Sequence, residues 1–152
     1  MPSEPSSPDL AHLLSHAARR LVQRLAGVLA EEGCSVEEWR VLSAVADGLG
    51  HPMTGIAEHV LMPAPSLTKL VDRMVAGTLV YRRPDPDDRR RVLLYLTARG
   101  RILHDRAARR VYADQARLLD AVDDQGELAR LLSVLTATAD GLPAAAPRRP
   151  QG

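Results

Sequence analysis

Five arginines bracket an acid-rich, turn-forming loop. Arg82 and Arg83 precede the run PDPDD, and Arg89, Arg90 and Arg91 follow it. Residues 64–101 carry 9 basic against 4 acidic groups, a balance of +5, whereas residues 1–63 carry 4 against 8 and residues 102–152 carry 7 of each. A net charge of +1 therefore hides a basic central segment. Charge concentrated in this way points to a local contact with a polyanion, not to general stickiness. The competing reading is a solvated turn whose arginines pair with Asp85, Asp87 and Asp88.

Other residues capable of chemistry are sparse. His12 and His16 share a helix face at metal-compatible spacing, but one pair without further ligands is an incomplete site, and no metal is expected. Cys34, the single cysteine, precedes a helix N-terminus, where a thiolate is favoured. It can form neither an intramolecular disulfide nor a cysteine cluster for zinc. Trp39 offers an apolar ring with one donor nitrogen and reads first as a core aromatic. There is no P-loop, no G-x-S-x-G elbow and no dinucleotide-binding glycine pattern, so the chain does not read as an enzyme.

The elements that must position the basic loop follow from periodicity and capping. Asp9 caps a long first helix with Leu10, Leu13, Leu14, Leu21, Leu25 and Leu29 at helical spacing, ending near Gly33. Ser35 and Glu38 form a capping box for a second helix through Trp39, Val41, Leu42 and Val45, stopped by Gly48 and Gly50-His51-Pro52. Thr54 caps a short third helix with Ile56, Ala57 and Val60. Pro63 or Pro65 opens a fourth, which buries Leu67, Leu70, Val71, Met74 and Val75 and ends at Gly77. Residues 79–83 and 91–96 read as two strands around the charged loop. Thr97 caps a long fifth helix, and Asp124 with Glu127 caps a sixth carrying Leu128, Leu131, Leu132 and Leu135.

Phe is absent, and Trp39, Tyr81, Tyr95 and Tyr112 are the only aromatics. The core must be built from Leu, Val and Ala, which suits packed helices. No run of 18 apolar residues marks a membrane span and no signal peptide is visible, so a cytoplasmic setting without membrane contact is expected. The order helix, short helix, turn, helix, hairpin points to DNA. In a helix-turn-helix the second helix enters the major groove, and Ser66, Thr68 and Lys69 offer groups for base edges and phosphates. An arginine at a hairpin tip suits a narrow minor groove.

From Val36 to Gly100 the chain resembles the MarR family of winged helix-turn-helix regulators. EEWRVL is similar to the family's helix leading into the winged lobe, and PSLTKLVDRMVAGTLVYRRPDPDDRRRVLLYLTARG to its recognition helix, wing and return strand. The most specific piece is Asp88-x-Arg90, then Leu96-Thr97 after five residues, with Gly100 one turn later. The resemblance implies a mainly α fold with a small β-hairpin wing and long flanking dimerisation helices. Its expected divisions are an arm at 1–8, a dimerisation helix at 9–34, the winged lobe at 35–97, C-terminal dimerisation helices at 98–141 and a tail at 142–152, arm and tail both disordered.

By the same match Pro65, Ser66, Thr68, Lys69 and Arg73 fall on the DNA-reading helix. Arg82, Arg89, Arg90 and Arg91 fall on the wing, with Arg90 reaching the minor groove and Asp88 holding the wing arginines. The implied function is a homodimeric, sequence-specific regulator of double-stranded DNA, a repressor released from a pseudo-palindromic operator by a small aromatic or amphipathic ligand. His12, His16 and Trp39 would wall that ligand's cleft, and no cofactor is implied. The alternatives are a redox-sensing regulator using Cys34 and a helical protein-interaction scaffold that does not bind DNA. Peroxide-sensing members carry their cysteine within the first helix, whereas Cys34 follows it.

Overall fold

The computed structural model describes residues 9–123 and 126–141. The expected terminal arm and tail, and the expected cap Asp124, lie outside these residues. Two compact units divide at Asp114, within the fifth helix.

In the first unit, α1 spans Leu10–Ala30, and Asp9 caps it by accepting the His12 N–H at 3.1 Å. Its residues 10–24 are exposed, and Leu25 is the first to pack on the core. α2 spans Val36–Ala44 behind the capping box anticipated from sequence. The Glu38 N–H donates to Ser35 Oγ at 3.1 Å, and the Ser35 N–H donates to Glu38 Oε2 at 2.9 Å. Two orphan donors are thereby satisfied.

A two-residue strand β1 (His51–Pro52) follows, where the sequence suggested only a stop. α3 (Met53–Val60) then starts at Pro52 as N-cap. Thr54 sits inside the first turn and is not the cap: Pro52, extended at the end of β1, takes the N-cap position, and no side chain caps the helix. α4 (Ala64–Ala76) follows a short turn at Leu61, and Pro65 is tolerated within its first turn.

The strands are β2 (Val80–Pro84) and β3 (Val92–Leu96), one residue later at the start than expected. All three strands pair antiparallel in the order β1-β3-β2, with Tyr81 opposite Tyr95 and His51 opposite Leu94. Alternation turns Val80 and Leu94 into the core and leaves Tyr81 stacked on Tyr95 outside, ring centroids 5.4 Å apart.

α5 (Ala98–Ala121) opens at Thr97, whose hydroxyl oxygen accepts the Gly100 N–H at 2.9 Å while donating to the Thr78 carbonyl at 2.6 Å. That one hydroxyl ties the start of α5 to the turn after α4. Gly77 ends α4 as anticipated, but Thr78 takes the left-handed conformation at φ 57°. The Leu79 N–H then reaches back to the Met74 carbonyl at 2.9 Å, closing the helix end.

The core contains Leu29, Val41, Leu42, Val45, Ile56, Val60, Leu67, Leu70, Val71, Met74, Val80 and Leu94. Aliphatic packing among short helices thus replaces the missing phenylalanines. α1 and α5 are further linked by ion pairs. Arg24 holds Asp114 through two hydrogen bonds of 2.6 Å, and Glu32 is shared by Arg106 and Arg110. Partial desolvation works against ionisation of Glu32, but the two guanidiniums prevail and hold its carboxyl below the usual range.

The second unit begins at Gln115 and contains the end of α5 and α6 (Glu127–Gly141). Leu128, Leu131, Leu132 and Leu135 are at helical spacing as expected, yet all four are exposed. No helix among the described residues is long and apolar enough to cross a membrane.

Candidate nucleic-acid interface

α4 buries one face and presents the other. Leu67, Leu70, Val71 and Met74 are in the core, while Pro65, Ser66, Thr68, Lys69, Asp72 and Arg73 are exposed. The Thr68 hydroxyl donates to the Ala64 carbonyl at 3.0 Å, which leaves its methyl group and lone pairs outward. Lys69 and Arg73 form no ion pair among the described residues and keep all their donors for an external partner.

The loop after β2 is shaped by carboxylates acting on the backbone. Asp85, only 8% exposed, accepts the Asp87 N–H at 2.9 Å, and its own N–H donates to the Arg91 carbonyl at 2.9 Å. Asp88 accepts the Arg90 N–H at 3.0 Å, and its carbonyl accepts the Arg91 N–H at 2.9 Å. Asp88 therefore steadies the tip through main-chain bonds, not through arginine side chains. The acid that meets a wing guanidinium is Asp85, 3.8 Å from Arg91. Both acids were visible in the sequence, but only the strand pairing tells which one turns inward.

Arg89 and Arg90 project from this tip exposed, with no side-chain partner among the described residues. The self-paired reading of the loop thus fails at its two outermost arginines. Arg83 on β2 likewise has no ion-pair partner among the described residues. Arg82 differs, since it donates to Asp72 Oδ1 of α4 at 2.7 Å. Sequence spacing had no means of pairing these two, because their contact depends on how β2 lies on α4.

The residues expected to wall a ligand cleft are not brought together. His12 and His16 lie on the exposed part of α1, more than two turns before Leu25. Trp39 is 7% exposed and stacks on His104, with Tyr112 edge-on at 6.5 Å between centroids. His104 and Tyr112 are eight residues apart on α5 and carried no separate signal. A cavity of about 310 Å³ opens elsewhere, lined by Glu32, Leu79, Arg99, Ile102, Leu103 and Arg106 among others.

Cys34 is buried, and its Sγ–H donates to the Ser35 carbonyl at 3.4 Å. Burial, with the Glu38 carboxylate adding to it, pushes the thiol up to about 12. Desolvation thus overrides the helix N-terminus that favoured a thiolate in the sequence reading.

A helix-turn-helix followed by a hairpin with arginines at its tip defines a winged helix-turn-helix, a class that meets duplex DNA with helix and wing. A MarR-family sequence model matches residues 32–91. The chain is 26% identical over 105 residues to the HTH-type transcriptional regulator FarR of Neisseria gonorrhoeae, covering 69% of this chain and 72% of FarR. It is 26% identical over 101 residues to the HTH-type transcriptional repressor NicR of Pseudomonas putida, covering 64% of each.

Among solved structures, CouR of Rhodococcus jostii bound to p-coumaroyl-CoA superimposes with a TM-score of 0.79 at 26% identity, over 94% of this chain and 100% of that one. CouR bound to a 23-mer DNA duplex gives a TM-score of 0.74 at 25% identity, over 90% and 99%. Over residues 32–91 the chain is similar to the MarR family, and the transcriptional regulators it resembles share its winged-helix fold.

Proposed function

We propose that this regulator is a homodimeric repressor whose recognition helix and wing grip a two-half-site operator. The observation that carries this reading is the wing tip, where Arg89 and Arg90 stand exposed, with no ion pair among the described residues, on a loop fixed by Asp85 and Asp88. Pro65, Ser66, Thr68, Lys69 and Arg73 would face the major groove, and Arg90 the minor groove, with Arg82, Arg83, Arg89 and Arg91 beside phosphates. NicR and CouR, both described as repressors, support the direction of control.

Dimerisation is supported by exposed apolar rows that a single chain leaves in water: Leu10, Leu13, Leu14 and Leu21 on α1, and Leu128, Leu131, Leu132 and Leu135 on α6. A two-fold dimer would present two recognition helices roughly 34 Å apart, one per helical turn of DNA. Residues 9–34 and 98–141 would then serve as the dimerisation segments around the winged lobe at 35–97. Light scattering of a chain lacking α1 checks this, with loss of the dimer expected and a clean dimer counting against it.

Release by a ligand is supported by CouR's acyl-CoA complex and by the cavity described above. A small amphipathic acid would set its carboxylate against Arg99 and Arg106 and its apolar body against Leu79, Ile102 and Leu103. A preference of about 1.4 kcal/mol for the DNA-incompetent form gives tenfold release.

The central test is selection of duplexes from a random pool, followed by mobility shift across salt. Tight binding to a pseudo-palindrome that weakens steeply with salt is expected. No duplex binding at low salt would leave only the scaffold reading.

A further inference from the structure

α4 carries a single acid, Asp72, in the middle of its exposed face. A carboxylate on a helix that faces DNA repels phosphates, so it needs a reason to be there. Its partner is Arg82, whose Nη2 lies 2.7 Å from Asp72 Oδ1, and the two side chains are 34% and 59% exposed for Arg82 and Asp72 respectively. A surface ion pair of this kind adds little to stability. Its effect is geometric.

Arg82 belongs to β2, opposite Leu94, on the face of the sheet that turns toward the core. Its long side chain leaves that face at the edge of α4 and is caught there by Asp72. One nitrogen is used on Oδ1, and the remaining donors of the planar fork make no other hydrogen bond among the described residues. Asp72 lies about 12 Å along the helix from Ala64, the end that would enter the groove. A guanidinium at that level flanks the groove and meets backbone, not base edges.

We propose that Asp72 is a positioning residue: it holds the Arg82 guanidinium beside α4, pre-aimed at a DNA phosphate, so that an acid on the DNA-facing helix strengthens DNA binding. This rests on the DNA-binding role of α4 and the wing proposed above. The physical basis is preorganisation, since an arginine already held in its binding geometry loses less freedom on contact.

The proposal has a sign opposite to simple electrostatics. Coulomb's law alone makes Asp72→Asn tighter, because a negative charge near DNA is removed. Positioning makes it looser, because Arg82 is released.

The experiment measures affinity of the full-length protein, Asp72→Asn, Arg82→Ala and the double variant. Each is tested against a duplex selected by the unsubstituted protein and a random-sequence duplex, across salt. Asp72→Asn is expected to lose about threefold to tenfold on both duplexes, the range of a weakened phosphate contact. Arg82→Ala should lose at least as much and lower the salt slope by about 0.9, the share of one phosphate. The double variant should match Arg82→Ala alone, because the acid acts only through the arginine. Tighter binding by Asp72→Asn, or losses that add in the double variant, would overturn the proposal. Failure of the unsubstituted protein to bind any duplex would overturn the parent reading as well, and is a separate outcome visible before any variant is made. Melting midpoints accompany each variant, and both side chains are exposed enough that the core is untouched.

Discussion

The indole of Trp39 lies almost parallel to the imidazole of His104, with ring centroids 5.3 Å apart and planes 10° from each other. The stack joins α2 to α5, and Tyr112 closes it from the edge. Trp39→Ala should cost about 3–5 kcal/mol, the range for a large buried aromatic. Urea unfolding followed by circular dichroism measures it, and a loss under about 1 kcal/mol would show that the ring is not part of the core.

Gly100 is the tightest point of the α5 N-terminus. A Cβ there would stand 1.9 Å from the Leu79 carbonyl oxygen, which itself accepts the Thr97 N–H at 3.1 Å and cannot retreat. Gly100→Ala should therefore destabilise by more than about 2 kcal/mol. Gly27, inside α1, has nothing within 4 Å of its would-be Cβ, and Gly27→Ala should stabilise by about 0.5–1 kcal/mol. Equal melting midpoints for the two variants would refute the close approach.

Arg90→Ala should lose about 1–3 kcal/mol of operator affinity with its melting midpoint unchanged, since the side chain is exposed and forms no ion pair among the described residues. Asp85→Ala should do the reverse in part, costing about 0.5–1.5 kcal/mol of stability by removing the hydrogen bond that the Asp87 N–H donates to the buried Asp85 carboxylate. Wild-type affinity in Arg90→Ala at moderate salt would remove the wing from the interface.

Cys34 should be inert. A thiol pushed up to about 12 stays protonated through the physiological range, so neither peroxide nor iodoacetamide should react quickly between pH 7 and 9. Labelling should become fast only in denaturant, and Cys34→Ser should respond to peroxide as wild type does. Rapid alkylation of the native protein, or peroxide release of DNA that vanishes in Cys34→Ser, would restore the redox reading.

Asp47 gives the fold an acid-sensitive point. Its carboxyl is held below the ordinary value, first by the Leu49 N–H at 3.0 Å; desolvation opposes this, and His51 Nε2 at 2.7 Å and the charge of Arg101 add to the lowering. A carboxyl whose folded value is depressed contributes its full stabilisation above the unfolded value and loses it as pH falls through the lowered one. Asp47→Asn should thus be less stable than wild type at neutral pH, with the gap closing toward about pH 3 or below. A constant gap across that range would show that the charge of Asp47 does not matter.

What the sequence made legible is what is encoded within one turn of chain. Asp9 with His12, Ser35 with Glu38 and Thr97 with Gly100 are each three residues apart, and all three caps form as read. The heptad-like apolar spacing of α4 likewise placed Lys69 and Arg73 outside and Leu67 and Leu70 inside. What escaped depends on partners far along the chain. β1 exists because His51 and Pro52 meet Leu94 and Leu93, some forty residues on, and two residues carry no periodicity of their own. His104 lies 65 residues beyond Trp39, and Arg82 ten beyond Asp72, each contact created by packing. The wing was visible as composition, whereas the inward turn of Asp85 and the outward turn of Asp88 needed the paired strands.

The wing loop is ordered by four hydrogen bonds that involve Asp85 and Asp88, two between main-chain groups and two from main-chain N–H groups to the carboxylates, and no nucleic acid. Its ordering entropy is thus met when the chain folds, not when DNA arrives. Encounter with an operator then has no loop-folding step to wait for, and its rate is set by diffusion and by the field of the basic segment. The heat-capacity change on complex formation should correspondingly match the surface buried by a rigid hairpin, without the excess that accompanies folding on binding.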